Sequence, residues 1–107
     1  MIEPSNETEL RALLNGETGK LHWRELQRHY ARGAVIRVAP ALDLVEVALR
    51  LMRDDKAVFE AWLHAGLAMR ADDGHAEEWA ARGAVLWAVV VAPWVLVQET
   101  EAGLDRN

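Results

Sequence analysis

Val85-Leu86-Trp87-Ala88-Val89-Val90-Val91-Ala92-Pro93-Trp94-Val95-Leu96-Val97 is an unbroken apolar run of thirteen residues that ends abruptly at Gln98-Glu99-Thr100-Glu101. Six of the thirteen are valine, and β-branched side chains, stiff at χ1, pack well on a pleated surface. The run therefore reads as strand. Its side chains alternate between two faces, Val85, Trp87, Val89 and Val91 on one and Leu86, Ala88, Val90 and Ala92 on the other, and both faces are apolar. Such a strand has to be covered twice, by helices on both sides of a sheet or by a second subunit. Pro93 donates no ladder hydrogen bond and favours an edge, a bulge or a break. A central strand, Val85 to Ala92, followed by a bend and a second short segment, Trp94 to Gln98, is the expected outcome.

Upstream, one pattern occurs three times: an amphipathic helix, a glycine suited to the left-handed residue after a helix, then an apolar strand. The three are Trp23 to Tyr30 with Gly33 and Ala34 to Val38, Val58 to Leu63 with Gly66 and Leu67 to Met69, and His75 to Ala81 with Gly83 and Val85 to Ala92. The first and third share Ala-Arg-Gly-Ala-Val at Ala31 and Ala81. Stacked repeats need about three similar units, so the echo reads as shared punctuation. Thr8 to Leu14 forms a further short helix ending near Asn15-Gly16. Asp43 caps a helix whose face is Leu44, Val45, Ala48, Leu49 and Met52, and Asp54 or Asp55 starts one with Val58, Phe59, Trp62 and Leu63 inward. In the last helix, capped by Asp72 or Asp73, Trp79 has to carry most of the burial. The sum is an α+β fold: a small mixed sheet of three to four strands packed by about five short helices, with helix-bearing connections that permit parallel pairing.

At 107 residues the chain fits one domain, expected over residues 6–99, with frayed ends at 1–5 and 100–107. Thirteen apolar residues are too few for a membrane helix, which needs about 20, and Glu3, Glu7 and Glu9 stand where a secretory signal would be basic. With no cysteine, disulfides and thiolate chemistry are excluded, and a cytoplasmic location is the expectation. The net charge of −5 is uneven: residues 1–19 hold four acids and one base, 20–56 five acids and eight bases, and 57–107 eight acids and three bases. A basic middle between acidic ends suits a self-complementary fold, a contact between copies, or an anionic partner.

Three constellations carry potential chemistry. His22, Glu25 and His29 fall at i, i+3, i+7 of the expected helix, and two histidines with a carboxylate suit zinc or ferrous iron. That face lies near solvent, and no second element offers a further ligand, so solvated side chains are the plainer reading and no cofactor is expected. Lys20, Arg24, Arg28 and Arg32 recur every four residues as a basic stripe able to meet phosphates. The acidic total, the few aromatics nearby and the lack of a second basic helix argue against nucleic acid, and favour a solvated face or pairing with Glu77 and Glu78. Asp54-Asp55-Lys56 resembles an acid/base cluster, but its place before a helix points to capping. Of five tryptophans, Trp23, Trp62 and Trp79 fall on inward helix faces. Trp94, beside Pro93, is the candidate for a contact with a ligand or partner, with Gln98, Arg24 and Arg28 as further binding candidates.

Gly16-Glu17-Thr18-Gly19-Lys20, Trp23-Arg24-Glu25-Leu26-Gln27-Arg28, Asp43-Leu44-Val45-Glu46-Val47 and Leu86 to Gln98 together resemble the small bacterial proteins grouped as domain of unknown function 2288. The similarity spans roughly Glu9 to Gln98. It implies a stand-alone bacterial protein of this length and brings no assigned activity, cofactor or catalytic residue. The leading expectation is a non-enzymatic interaction domain forming a homodimer through the C-terminal strand region. A metal or small-ligand enzyme built on His22, Glu25 and His29 is one alternative, and nucleic-acid binding through the basic stripe is the other.

Overall fold

The computed structural model describes residues 6–100; the expected frayed ends lie outside these, apart from Thr100. The chain runs α1 (Glu7–Glu17), β1 (Gly19–His22), α2 (Trp23–Ala31), β2 (Val35–Val38), α3 (Leu44–Met52), α4 (Lys56–Ala65), β3 (Ala68–Arg70), α5 (Asp73–Ala81), β4 (Val85–Val91) and β5 (Trp94–Glu99). The strands form one mixed sheet in the order β1-β4-β5-β2-β3. Only β2 and β5 pair parallel; the other three pairs are antiparallel. The sheet thus has five strands where three to four were expected. The additional one, Gly19-Lys20-Leu21-His22, has no apolar alternation and is held by its ladder to β4, Gly19 opposite Ala88 through His22 opposite Val85.

The apolar run divides at Pro93 into two segments, as expected, and the bend is a full hairpin turn. Ala92 and Pro93, joined by a cis peptide bond, make the turn, and Val91 faces Trp94 across it. Both arms are interior strands, with β5 flanked by β4 and β2. Trp94 to Gln98, expected as the segment that meets a partner, therefore offers no free backbone edge for strand pairing.

Helices cover both faces. On one, Leu10 and Leu14 of α1 and Leu44, Val47, Ala48 and Leu49 of α3 pack on Val89, Val91, Leu96, Ile36 and Val38, with Phe59 and Trp62 of α4 at the margin. On the other, Trp23 and Leu26 of α2 and Trp79 of α5 pack on Leu86, Ala88, Val95, Val97 and Val35. The two coverings are offset along β4. The α1–α3 face buries the end of the strand and leaves Val85 and Trp87 at its start 36% and 37% exposed; the α2–α5 face buries the start and leaves Val90 56% exposed. The expectation that β4 is covered along its whole length on both faces is met only diagonally.

Local signals place the helices as their residues demand. Asn6, Asp43, Asp55 and Asp72 each accept backbone N–H groups at a helix start, relieving donors that the first turn leaves orphaned. Asp72 and His75 do so reciprocally, each side chain taking the other's backbone N–H, and that hydrogen bonding holds the Asp72 carboxyl below its usual range. Gly66 ends α4 at φ 74°, with its N–H on Leu63 O and that of Leu67 on Trp62 O. The shared Ala-Arg-Gly-Ala-Val words act alike: Gly33 and Gly83 take φ 73° and 57°, and Ala34 and Ala84 return N–H bonds to His29 O and Trp79 O.

Charged side chains tie α1 to α3. Arg11 bridges Glu7 and Glu46, and Arg50 joins Glu46 to Asp55; the Arg11 bond, followed by that of Arg50, holds the Glu46 carboxyl below its usual range against the opposing effect of burial. Across the other face, Glu99 accepts from Arg37 at 3.1 Å and from Trp79 Nε1 at 3.2 Å, which satisfies the indole of a residue with no exposed surface. Two outcomes check this packing by urea unfolding. Trp79→Ala should cost about 3–5 kcal/mol. Gly66→Ala, where a side chain meets open space but φ is positive, should cost about 1 kcal/mol, whereas Gly16→Ala inside α1, also facing open space, should stabilise by about 0.5 kcal/mol.

Candidate functional site

Three chain segments meet at the end of the sheet where β2 and β5 begin. The last turn of α2 brings His29 and Arg32, β3 ends in Arg70, and the β4–β5 turn supplies Pro93 and Trp94; between them lies an open pocket of about 450 Å³ with exposed Val90 in its wall. Val95 N–H bonds Ala34 O at 2.8 Å and locks the start of β5 to the start of β2. Arg70 reaches the pocket because β3 pairs antiparallel with β2, placing Ile36 opposite Arg70. Its guanidinium lies 5.4 Å from the Trp94 ring centroid, a cation–π placement that fixes a long side chain. One of its terminal nitrogens comes within 3.9 Å of where a Cβ on Gly33 would stand.

Arg32 caps the C-terminus of α2, and its Nη2 lies 2.9 Å from His29 Nδ1. Burial, then the charges of Arg32 and Arg28, push the His29 pKa down. Because a guanidinium can only donate, the contact is an Arg32 N–H donating to His29 Nδ1, which places the ring's own N–H at Nε2. Neither Arg32 nor Arg70 is joined to a carboxylate among the described residues, unlike Arg11, Arg37, Arg50, Arg53 and Arg82.

The metal candidates do not come together. His22 belongs to β1, opposite Val85, and only Glu25 and His29 lie on α2. Among the described residues no three metal-ligating side chains form a group. The basic stripe divides in the same way. Lys20 is a strand residue whose ammonium sits 5.0 Å from the Trp87 ring centroid, Arg24 and Arg28 line a shallow surface of α2 with Leu21 and Glu25, and Arg32 turns to the pocket. The expected pairing with Glu77 and Glu78 is not seen, since Glu78 pairs with Arg82. The spacing of four is helical only from Trp23 onward, so it misleads at Lys20.

Gln98 is internal, its Nε2 donating to Ala39 O at 2.9 Å and Leu42 O at 2.7 Å. It pins the loop between β2 and α3. Trp94 is half-buried, packed against the α1–α3 core as well as lining the pocket. Asp55 caps α4, as the capping reading of Asp54-Asp55-Lys56 expects. No local pattern in the sequence signals Arg70; the β2–β3 pairing brings it here.

The fold and this cleft define a small α+β protein with helices on both faces of a mixed sheet and a cationic pocket at one end. The chain belongs to the family described as "Protein of unknown function (DUF2288)", whose model matches residues 9–99. It is similar in structure to PA1075 from Pseudomonas aeruginosa, solved in solution by NMR, at 44% sequence identity, with 92% of each chain covered and a TM-score of 0.76. Comparison with curated proteins yields no match. Among the described residues no helix is long and apolar enough to cross a membrane.

By NMR titration, the His29 imidazole should show a midpoint below its ordinary value of 6.5. In Arg32→Gln the midpoint should rise without reaching that value, because burial is the larger cause. An unchanged midpoint in the variant would remove Arg32 from the site's electrostatics.

Proposed function

We propose that the chain is a non-enzymatic interaction domain that acts as a homodimer, with the bare start of β4 at the centre of the contact. The observation that supports this most is the pair Val85 and Trp87, 36% and 37% exposed on an interior strand. Large apolar side chains on a strand this central are normally covered, and contiguous uncovered ones mark contact surfaces. Tryptophan is also the residue that most often anchors such contacts. Beside them runs β1, a four-residue edge strand whose outer backbone groups are open to pairing.

A two-fold contact presents the same patch from both copies. It has to bury about 1,000 Å² or more, so it extends from β4 across β1. Lys20 sets a limit on its geometry: the ammonium over Trp87 holds the ring on one side and discourages a flat continuation of the sheet. A cytoplasmic location belongs to the same reading. No grouping of His22, Glu25 and His29 supports the enzyme alternative.

Sedimentation equilibrium at high micromolar concentration should give a dimer, and Trp87→Asp should weaken it by about thirtyfold, as expected for loss of a central anchor. A monodisperse monomer for the unaltered chain would overturn the proposal.

A further inference from the structure

We propose that the pocket at the β4–β5 turn binds a small organic anion, one carboxylate or phosphate group held between Arg32 and Arg70 and its apolar body lying on Val90 and Pro93. Charge is the first support. The chain has 17 acidic residues against 12 lysines and arginines, so carboxylates are plentiful, and five of the described arginines pair with them. Arg24, Arg28, Arg32 and Arg70 show no ion pair among the described residues, and of these Arg32 and Arg70 come from different elements and line one pocket. Two guanidinium groups lining one pocket offer an anion charge and bidentate hydrogen bonds from planar donors.

Preorganisation is the second support. Arg70 lies over the Trp94 ring and Arg32 is tied to His29, so both guanidinium groups are positioned before a ligand arrives and less side-chain entropy is lost on binding. Gly33, at φ 73°, keeps the wall between them free of a side chain. The third support is the apolar floor. Val90 is 56% exposed at the end of β4 that α2 and α5 leave bare, and it lines the same pocket as Pro93. A pocket of about 450 Å³ matches small-molecule sites, which combine apolar walls with a few placed polar groups. Mixed lining of this kind fits an anion attached to a ring or short hydrocarbon better than a bare inorganic ion. The site lies at the opposite end of β4 from Trp87, so it stands apart from the proposed dimer contact.

The test is NMR titration of the full chain with phenyl phosphate, benzoate and, as the neutral control, benzyl alcohol. Either anion should give saturable shifts at the Trp94 indole N–H and the Val90 methyls, and benzyl alcohol should bind at least about tenfold more weakly. Arg32→Gln and Arg70→Gln should each weaken anion binding about tenfold or more, while Arg24→Gln, on the same helix but outside the pocket, should leave it unchanged. Arg32→Gln alters an exposed side chain, and its amide spectrum reports the fold; should Arg70→Gln lose the native spectrum, Arg32→Gln and Arg32→Glu decide alone. Equal binding of benzyl alcohol, equal loss in Arg24→Gln, no loss in Arg32→Gln, or shifts that never saturate would each overturn the proposal. Binding that persists in Trp87→Asp would keep this site independent of the dimer's fate.

Discussion

Everything in this fold answers to one requirement: the hairpin of β4 and β5 is apolar on both faces and sits inside the sheet, so water has to be kept from both sides of it. Two helix layers do this, α1 and α3 on one side and α2 and α5 on the other. The layers need anchoring, and each is anchored by what the sequence places between elements. On one side the Glu7, Arg11, Glu46 and Arg50 chain holds α1 to α3. On the other, Trp79 fills the space beneath α5 and its indole N–H donates a hydrogen bond to Glu99 at the end of β5.

Five short helices cannot cover a seven-residue strand completely on both sides, and the shortfall has a definite geometry. The coverings are displaced in opposite directions along β4, so each face is left bare at one end. One bare end carries Val85 and Trp87 beside the open edge of β1. The other carries Val90, where the end of α2, the end of β3 and the hairpin turn converge with Arg32 and Arg70, neither joined to a carboxylate among the described residues. The two places proposed to receive another molecule follow from the same incomplete cover, and they differ in chemistry: one apolar beside an edge strand, one cationic around an indole.

Much of this is legible in the sequence. Valine content marks β4 and β5, glycine marks the helix ends at Gly33, Gly66 and Gly83, and aspartate marks the starts of α3, α4 and α5, because each rests on local backbone chemistry. What escapes is what pairing alone creates. Gly19 to His22 becomes a strand through its ladder to β4 and against a helical charge spacing that runs straight through it. That ladder is also what removes His22 and Lys20 from the face they were expected to share with His29 and Arg32. At Pro93 the sequence signals a bend but not its extent: two residues reverse the chain fully, which pairs the second segment with the first inside the sheet. Trp94 is marked in the sequence by its place next to that turn, but Arg70, which lies over its ring, is twenty-four residues away in sequence, and only topology joins them.

Native-state amide hydrogen exchange tests the central role of the buried hairpin most directly. The slowest-exchanging amides, those that open only when the whole molecule unfolds, should be those of Val95 to Val97 in β5 with their ladder partners in β4 and β2, while the amides of the edge strands β1 and β3 exchange through smaller openings. Protection in β5 no greater than in β1 would contradict the account, since the sheet would then not be built around the hairpin at all.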